Sequence, residues 1–389
     1  MQISELAKSI NKSKIRVMYD RARLMASDDV LSFTVGEPDF ATPRDIIEQA
    51  NAYLSKGLTK YTPNSGVQEL RDAVAEKFSP TIRPINPQTE VMITMGATEA
   101  LLVAMQVVLN PGDELIAIAP MFASYLNQFK IARCVPKIVV STEANGFVPT
   151  AEQIEAAIGP RTKMLLLNSP CNPTGAEIPE SELRRIAEVA IRHDLVVLSD
   201  EVYKTIRYGD KPYVSIASLP GMAERTVVVD SFSKAYAMAG WRVGYAIGPE
   251  WLISRMPTTH DVTVACVNAP YQYAGAYALR NCDAEVAEMR EKFRKRRDTI
   301  VSGIRSIPGM RCLEPAGAFY LWTNIQDLGV SSDDFCFGLL DREHVAIVPG
   351  NGFSEAGEGY VRITYAANEE LLLRGIERID RYVRRELRA

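Results

Sequence analysis

The chain has 389 residues, 47% of them hydrophobic, and 44 basic against 48 acidic side chains, for a net charge of −4. That length and apolar content support a sizeable core and two domains, one of them large. The mildly acidic balance argues against a nucleic-acid backbone as partner, and three histidines with six cysteines and no CxxC pair argue against a zinc site of standard spacing. No run approaches the roughly 18 apolar residues of a membrane span, and no charged n-region followed by an apolar h-region opens the chain. A soluble, cytoplasmic protein with reduced cysteines is therefore expected.

The first 30 residues mix charges with short apolar positions. Residues 31–35 form a short strand candidate that stops at Gly36-Glu37-Pro38-Asp39-Phe40, a stretch unsuited to continuing a ladder. Helical periodicity follows over 44–57, then a loop over 60–66 and a helix over 67–78. From Val91 strands and helices alternate. Strand 91–95 leads through the turn Gly96-Ala97-Thr98 into helix 99–109. Next come strands 114–119 and 137–141, helix 151–158, strand 163–167, the loop 168–175, helix 181–193, and strands 195–198, 226–229 and 244–248. Short apolar runs without clean alternation, separated by helices, describe strands buried on both faces. That is an α/β fold with a mostly parallel central sheet in an α/β/α sandwich, whose ligand groups gather at the carboxyl ends of the strands.

After about residue 285 the pattern changes. A charged helix over 282–304 carries Lys292-Phe293-Arg294-Lys295-Arg296-Arg297, flanked by Glu285, Glu288, Glu291 and Asp298, and reads as a solvated helix face. Helix 333–340, strands 345–348 and 360–364, and helix 369–385 then complete a smaller α+β domain. The expected division is an N-terminal segment 1–40 packing with the small domain, a large domain 41–285 and a small C-terminal domain 286–389.

Lys234, in Ser231-Phe232-Ser233-Lys234, follows the apolar run that ends at Asp230. A lysine just past a buried strand is desolvated and held partly neutral, as an amine nucleophile requires. Arg242, eight residues on, offers a fixed fork of donors for a phosphate. An amine beside a phosphate anchor points to a Schiff-base cofactor that carries a phosphate, pyridoxal 5'-phosphate. Asp200 ends another strand, where a carboxylate can pair with a protonated ring nitrogen. Asn172, rigid between two prolines, and Tyr203 can both donate to a phenolate oxygen on the ring. The start of a helix at Ala97 and Thr98, with Ser231 and Ser233, completes an anion site. Phe122 or Tyr125 stacks on the ring. Cys171, with no histidine beside it, reads as packing.

Together, Asn172-Pro173-Thr174-Gly175, Ser199-Asp200-Glu201-Val202-Tyr203 and the segment from Ser231-Phe232-Ser233-Lys234 to Trp241-Arg242-Val243-Gly244 resemble the class I/II aminotransferases of the fold type I pyridoxal-phosphate enzymes. The resemblance runs from Gly36-Glu37-Pro38-Asp39-Phe40 to Tyr360-Val361-Arg362-Ile363 and lies nearest the bacterial and archaeal aspartate and aromatic branch. It implies that Lys234 carries the cofactor and then acts as the base, that Asp200 pairs with the ring nitrogen, and that Asn172 and Tyr203 contact the ring oxygen. It implies further that Ala97, Thr98, Ser231, Ser233 and Arg242 hold the phosphate and that Phe122 covers the ring. Arg362, with Gly36 and Asn172, would bind the substrate α-carboxylate. It also implies a homodimer in which Tyr61 reaches the neighbouring subunit's phosphate. The implied reaction is transamination, with aspartate and 2-oxoglutarate as the first expected pair, aromatic or alanine-type donors as the alternative, and a pyridoxal-phosphate β-lyase behind them. No distal substrate anchor is assigned. Arg16, Lys60 and Arg255 are the cationic candidates, His260 with 261–271 borders the same region, and Tyr19 and Phe353 would form an apolar wall.

Overall fold

Seven short apolar strands build the central sheet of the computed structural model, which describes residues 2–25, 27 and 29–387. They are β1 (Val91–Thr94), β2 (Glu114–Ala119), β3 (Val135–Val140), β4 (Thr162–Asn168), β5 (Val196–Asp200), β6 (Thr226–Ser231) and β7 (Gly244–Ile247), in the order β1-β7-β6-β5-β4-β2-β3. β2 through β6 pair in parallel, while β7 is antiparallel to both β6 and β1. The period-2 alternation of a strand sends successive residues to opposite faces, and here both faces are covered. Val91, Ile93, Val228, Tyr245 and Ile247 meet helices Arg44–Ser55, Gln68–Phe78 and Ala269–Asn281. Met92, Leu115, Leu166, Val227, Val229 and Ala246 meet helices Ala97–Val108 and Ser124–Ile131 on the other side. The α/β/α layering and the mostly parallel sheet are as expected from the apolar runs.

A second sheet, antiparallel throughout, joins Val348–Pro349, Tyr360–Thr364, Tyr320–Asn324 and Arg311–Cys312 in that order. Helices Asp283–Arg305, Ser332–Glu343 and Glu369–Tyr382 close over it. Their core takes in Met18, Ala22, Leu31 and Phe33, and the short strand Leu31–Ser32 pairs in parallel with Val345–Ala346. The basic run on Asp283–Arg305 is neutralised locally, with Lys292 Nζ 2.7 Å from Glu288 and Arg296 Nη1 2.7 Å from Asp39. Among the described residues no helix is long and apolar enough to cross a membrane.

Several elements differ from expectation. The single strand expected over 345–348 is two two-residue strands in different sheets, Val345–Ala346 and Val348–Pro349. Helix 97–108 begins two residues before the expected start, with Gly96 as its cap at φ 76°. Helices Lys14–Leu24, Ser124–Ile131 and Ala269–Asn281 were not legible in the sequence. The last of these buries eight of its 13 residues, so it has no clean polar face to betray its period.

Candidate active site

The register of the sheet assembles the site. Asn168 lies opposite Asp200 at the ends of β4 and β5, and Gly244 is opposite both Ser231 on β6 and Thr94 on β1. The carboxyl ends of β1, β4, β5 and β6 thus share one edge. Because β7 runs the other way, the residues that precede it, Arg242 among them, arrive at that same edge. A cavity of about 230 Å³ opens there. Gly36, Ala97, Thr98, Phe122, Asn172, Asp200, Tyr203, Ser231, Ser233, Lys234, Arg242 and Arg362, all expected at the site, line it.

Lys234 follows β6 in the short helix Phe232–Ala235, and its Nζ donates to Gly36 O at 2.5 Å. Burial pushes its pKa from 10.5 down to about 8. Glu37 and Asp200 act against that shift, whereas the Arg242 and Arg362 cations reinforce it. The amine therefore loses its proton far more readily than an exposed lysine does. Asp200, at the end of β5, accepts from Tyr125 Oη at 2.5 Å and from Val202 N at 3.3 Å. Burial nonetheless raises its pKa to about 6, and the Asp230 and Glu201 carboxylates add to the rise against those two donors. A carboxylate buried in this way is suited to a cationic ligand.

At one end of the cavity the first turn of helix 97–108 presents backbone N–H groups. Arg242 is held beside it by Nη1 donating to Ala239 O at 2.8 Å. A Cβ on Gly96 would stand 2.6 Å from Arg242 Nη2, and a Cβ on Gly244 would stand 2.6 Å from the Gly96 carbonyl carbon, so two glycines permit this approach. Helix dipole, serine hydroxyls and guanidinium make a donor set for a phosphate-sized anion. At the opposite end Arg362 is fully buried. Its Nη1 donates to Asn172 Oδ1 at 3.0 Å, its Nη2 donates to Thr34 O, and its Nε has no partner. The rings of Tyr320 and Phe353 lie 4.5 and 4.8 Å from its Cζ. Burial lowers its pKa. With Oδ1 taken by Arg362, the Asn172 amide keeps its NH2 for a ligand. Asn168 braces that loop, donating to Asp200 O at 3.1 Å and accepting from Asn172 N at 2.9 Å.

Of the two stacking candidates, Phe122 lines the cavity. Tyr125 stands edge-on to it, 5.5 Å between centroids at 89°, and serves Asp200 instead. Tyr61 is not brought to this cavity; it is 89% exposed, beside a separate surface groove that also holds Lys60 and Cys266. Arg16, Arg255, Tyr19, His260 and Phe353 do not line the cavity either. Arg16 sits over the Tyr19 ring at 5.3 Å, and His260 is buried with Nδ1 2.5 Å from Glu99. Cys171 is driven up to about 11 by burial and lies outside the lining, in keeping with a packing role. Five further lining residues, Ile15, Leu101, Asn168, Val202 and Tyr320, were not among the expected site residues. Tyr320, whose hydroxyl is 2.8 Å from that of Tyr203, starts a strand of the second sheet, and Ile15 belongs to the unrecognised helix Lys14–Leu24.

Comparison with known proteins gives the same answer along the whole length. The family described as aminotransferase class I and II matches residues 28–379. An aspartate aminotransferase of Pyrococcus abyssi is 40% identical over 387 residues, and an aromatic-amino-acid aminotransferase of Thermococcus litoralis is 38% identical over 387, with 99% of each chain covered in both cases. The solved structure of Thermus thermophilus aspartate aminotransferase with maleate superposes with a TM-score of 0.93 at 35% identity, covering 98% of this chain and 99% of that one. With full-length relatives at these identities, the chain is an aminotransferase and belongs to class I and II.

Proposed function

We propose that this aminotransferase exchanges an amino group between an L-amino acid and a 2-oxo acid on pyridoxal 5'-phosphate held in the cavity, with aspartate and 2-oxoglutarate as the first pair. The observation that carries the reading is a half-buried Lys234 amine in a cavity with an anion cradle at one end and a fully buried arginine at the other. The cofactor fits this donor set: the cradle suits its phosphate, and buried Asp200 lacks the cation that its ring nitrogen would provide. When bound, the cofactor supplies a carbonyl that reacts with amines and a ring that accepts electrons.

The protein's own residues do the rest. Ala97, Thr98, Ser231, Ser233 and Arg242 fix the phosphate, and Asp200 keeps the ring nitrogen protonated. Asn172 and Tyr203 donate to the ring oxygen, and Phe122 covers one face. Arg362, with Asn172 and the backbone of Gly36, holds the substrate α-carboxylate. Lys234 Nζ takes the proton from the substrate α-carbon, a task for which a pKa near 8 is suited at neutral pH. The division at residues 40 and 285 would let the C-terminal part close over the substrate and exclude water. A homodimer, in which the exposed Tyr61 reaches the partner's phosphate, would complete each site. The cavity wall holds Ile15, to which no other role is given, whereas its cations Lys234, Arg242 and Arg362 already have roles. That apolar wall favours aromatic donors as the second reading.

The test is a half-reaction. Purified protein loaded with the cofactor is mixed with single amino acids and no 2-oxo acid, and products are followed by absorbance and chromatography. Release of the matching 2-oxo acid with loss of the aldehyde form of the cofactor is expected, and the order of rates ranks aspartate against the aromatic donors. Pyruvate and ammonia from a β-substituted donor, with the aldehyde form regenerated, would instead identify a lyase.

A further inference from the structure

Behind the cavity wall lies a buried charge cluster that the transamination chemistry does not use. Lys204 Nζ is 3.0 Å from Asp230 Oδ2 and 3.7 Å from Glu201 Oε2, and sits 3.9 Å from the centroid of the Phe78 ring. All three charged side chains are less than a tenth exposed. The Lys204–Asp230 pair is close but not aligned as a hydrogen bond, and Glu201 Oε2 has no hydrogen-bond donor, so the shared ammonium is its main compensation. The other oxygens are firmly anchored. Glu201 Oε1 accepts from Ser199 at 3.0 Å and Ser215 at 2.5 Å; Asp230 Oδ1 accepts from Ser231 N at 2.6 Å and Oδ2 from Tyr245 at 2.8 Å.

The cluster alternates with the cavity in sequence. Asp200, Tyr203 and Ser231 line the cavity, and the next or preceding residues Glu201, Lys204 and Asp230 turn to the cluster. We propose that Lys204 is a positioning residue: its ammonium ties the ends of β5 and β6 together from behind and balances the two carboxylates that flank Asp200, so that Asp200 meets the cofactor ring as an anion. The proposal rests on the pyridoxal-phosphate reading of the site. The electrostatics agree with the geometry. Asp230 and Glu201 both push Asp200 toward protonation, and burial raises Glu201 itself while Lys204 opposes that rise. The remaining groups that face the cluster are the phenols of Tyr213, Tyr236 and Tyr245, raised chiefly by burial and therefore neutral. Around Asp200 the other groups are Tyr125, Tyr203, Tyr320, Cys171 and Lys234.

The experiment measures the affinity of the apo-protein for pyridoxal 5'-phosphate against pH, by absorbance titration, with folding checked by circular dichroism. In Lys204→Met the uncompensated carboxylates hold Asp200 protonated to higher pH. The acid limb of the profile is expected to move up by about one pH unit, so that the affinity falls about tenfold at pH 5 and about twofold at pH 7. Lys204→Arg and the double variant Lys204→Met/Glu201→Gln, which restores the charge balance, are expected to recover both. Glu201→Gln alone keeps its acceptor oxygen for Ser199 and Ser215 and is expected to move the limb the opposite way, which gives a second test should Lys204→Met not fold. An unshifted limb in Glu201→Gln, or a folded double variant that recovers nothing, overturns the proposal. Wild-type protein that binds no cofactor at any pH overturns the reading of the site, and this proposal with it.

Discussion

Asp200 is held where its charge is costly. Its folded pKa of about 6 lies above the ordinary 3.8, so the folded protein binds the extra proton between those values. Stability then falls as pH rises through that window, and the full cost applies above about pH 6. At ~1.36 kcal/mol per unit this amounts to about 3 kcal/mol in the apo-protein. Asp200→Asn keeps an acceptor for Tyr125 and removes the charge. The variant apo-protein is expected to melt higher than wild type at pH 7 and equally at pH 3.5, and to bind the cofactor at least tenfold more weakly, since it has no anion for the ring nitrogen. Scanning calorimetry at the two pH values and a binding titration check both halves. At this scale much was legible. Lys234, Asp200 and Arg242 each stand beside an apolar run in the sequence, and it is their combination, rather than any one placement, that marks the edge of the sheet where the cavity opens. Tyr125 reads in the sequence only as a ring to stack, because a hydrogen bond from a helix to a strand end 75 residues later leaves no local trace.

The elements carry the anion cradle. Gly96 takes φ 76° and Gly244 lies against its backbone, which lets the helix start press against β7 and Arg242 reach across. A side chain at Gly96 faces both a backbone conformation open essentially only to glycine, with φ 76° and ψ 169°, at a cost of about 1–3 kcal/mol, and a clash with the guanidinium. Gly96→Ala is expected to remain folded with a lower melting temperature and to bind the cofactor more than tenfold more weakly, with inorganic phosphate protecting it less against heat than it protects wild type. Equal binding in the variant would remove the helix start from the cradle. The apolar runs gave most strand positions to within a few residues, since burial on both faces demands unbroken hydrophobicity. The direction of β7 was not legible. A four-residue apolar strand reads the same either way, and only pairing with β1 and β6 reverses it.

Across the whole molecule the decisive contact is that of Arg362. It reaches from the C-terminal sheet to Thr34 and Asn172, which are 328 and 190 residues away in the chain. A lysine keeps the charge but not the planar fork that serves Asn172, Thr34 and a carboxylate together. Arg362→Lys is expected to lower kcat/KM for amino acids about a hundredfold, close to 3 kcal/mol, through KM, while cofactor affinity stays near wild type. Loss of cofactor binding in step with activity would place Arg362 in the scaffold instead.

The layered α/β fold and most of the residues lining the cavity are legible in the sequence, because short apolar strands and the polar residues just beyond them are local features. Tertiary structure alone decided which of them meet. The reversed β7 delivers Arg242 to the carboxyl edge, the helix Lys14–Leu24 supplies Ile15, and Tyr320 stands against Tyr203. It also set Lys204 between Asp230 and Glu201, since the energy of a buried charge depends on partners brought near by packing rather than by position in the chain.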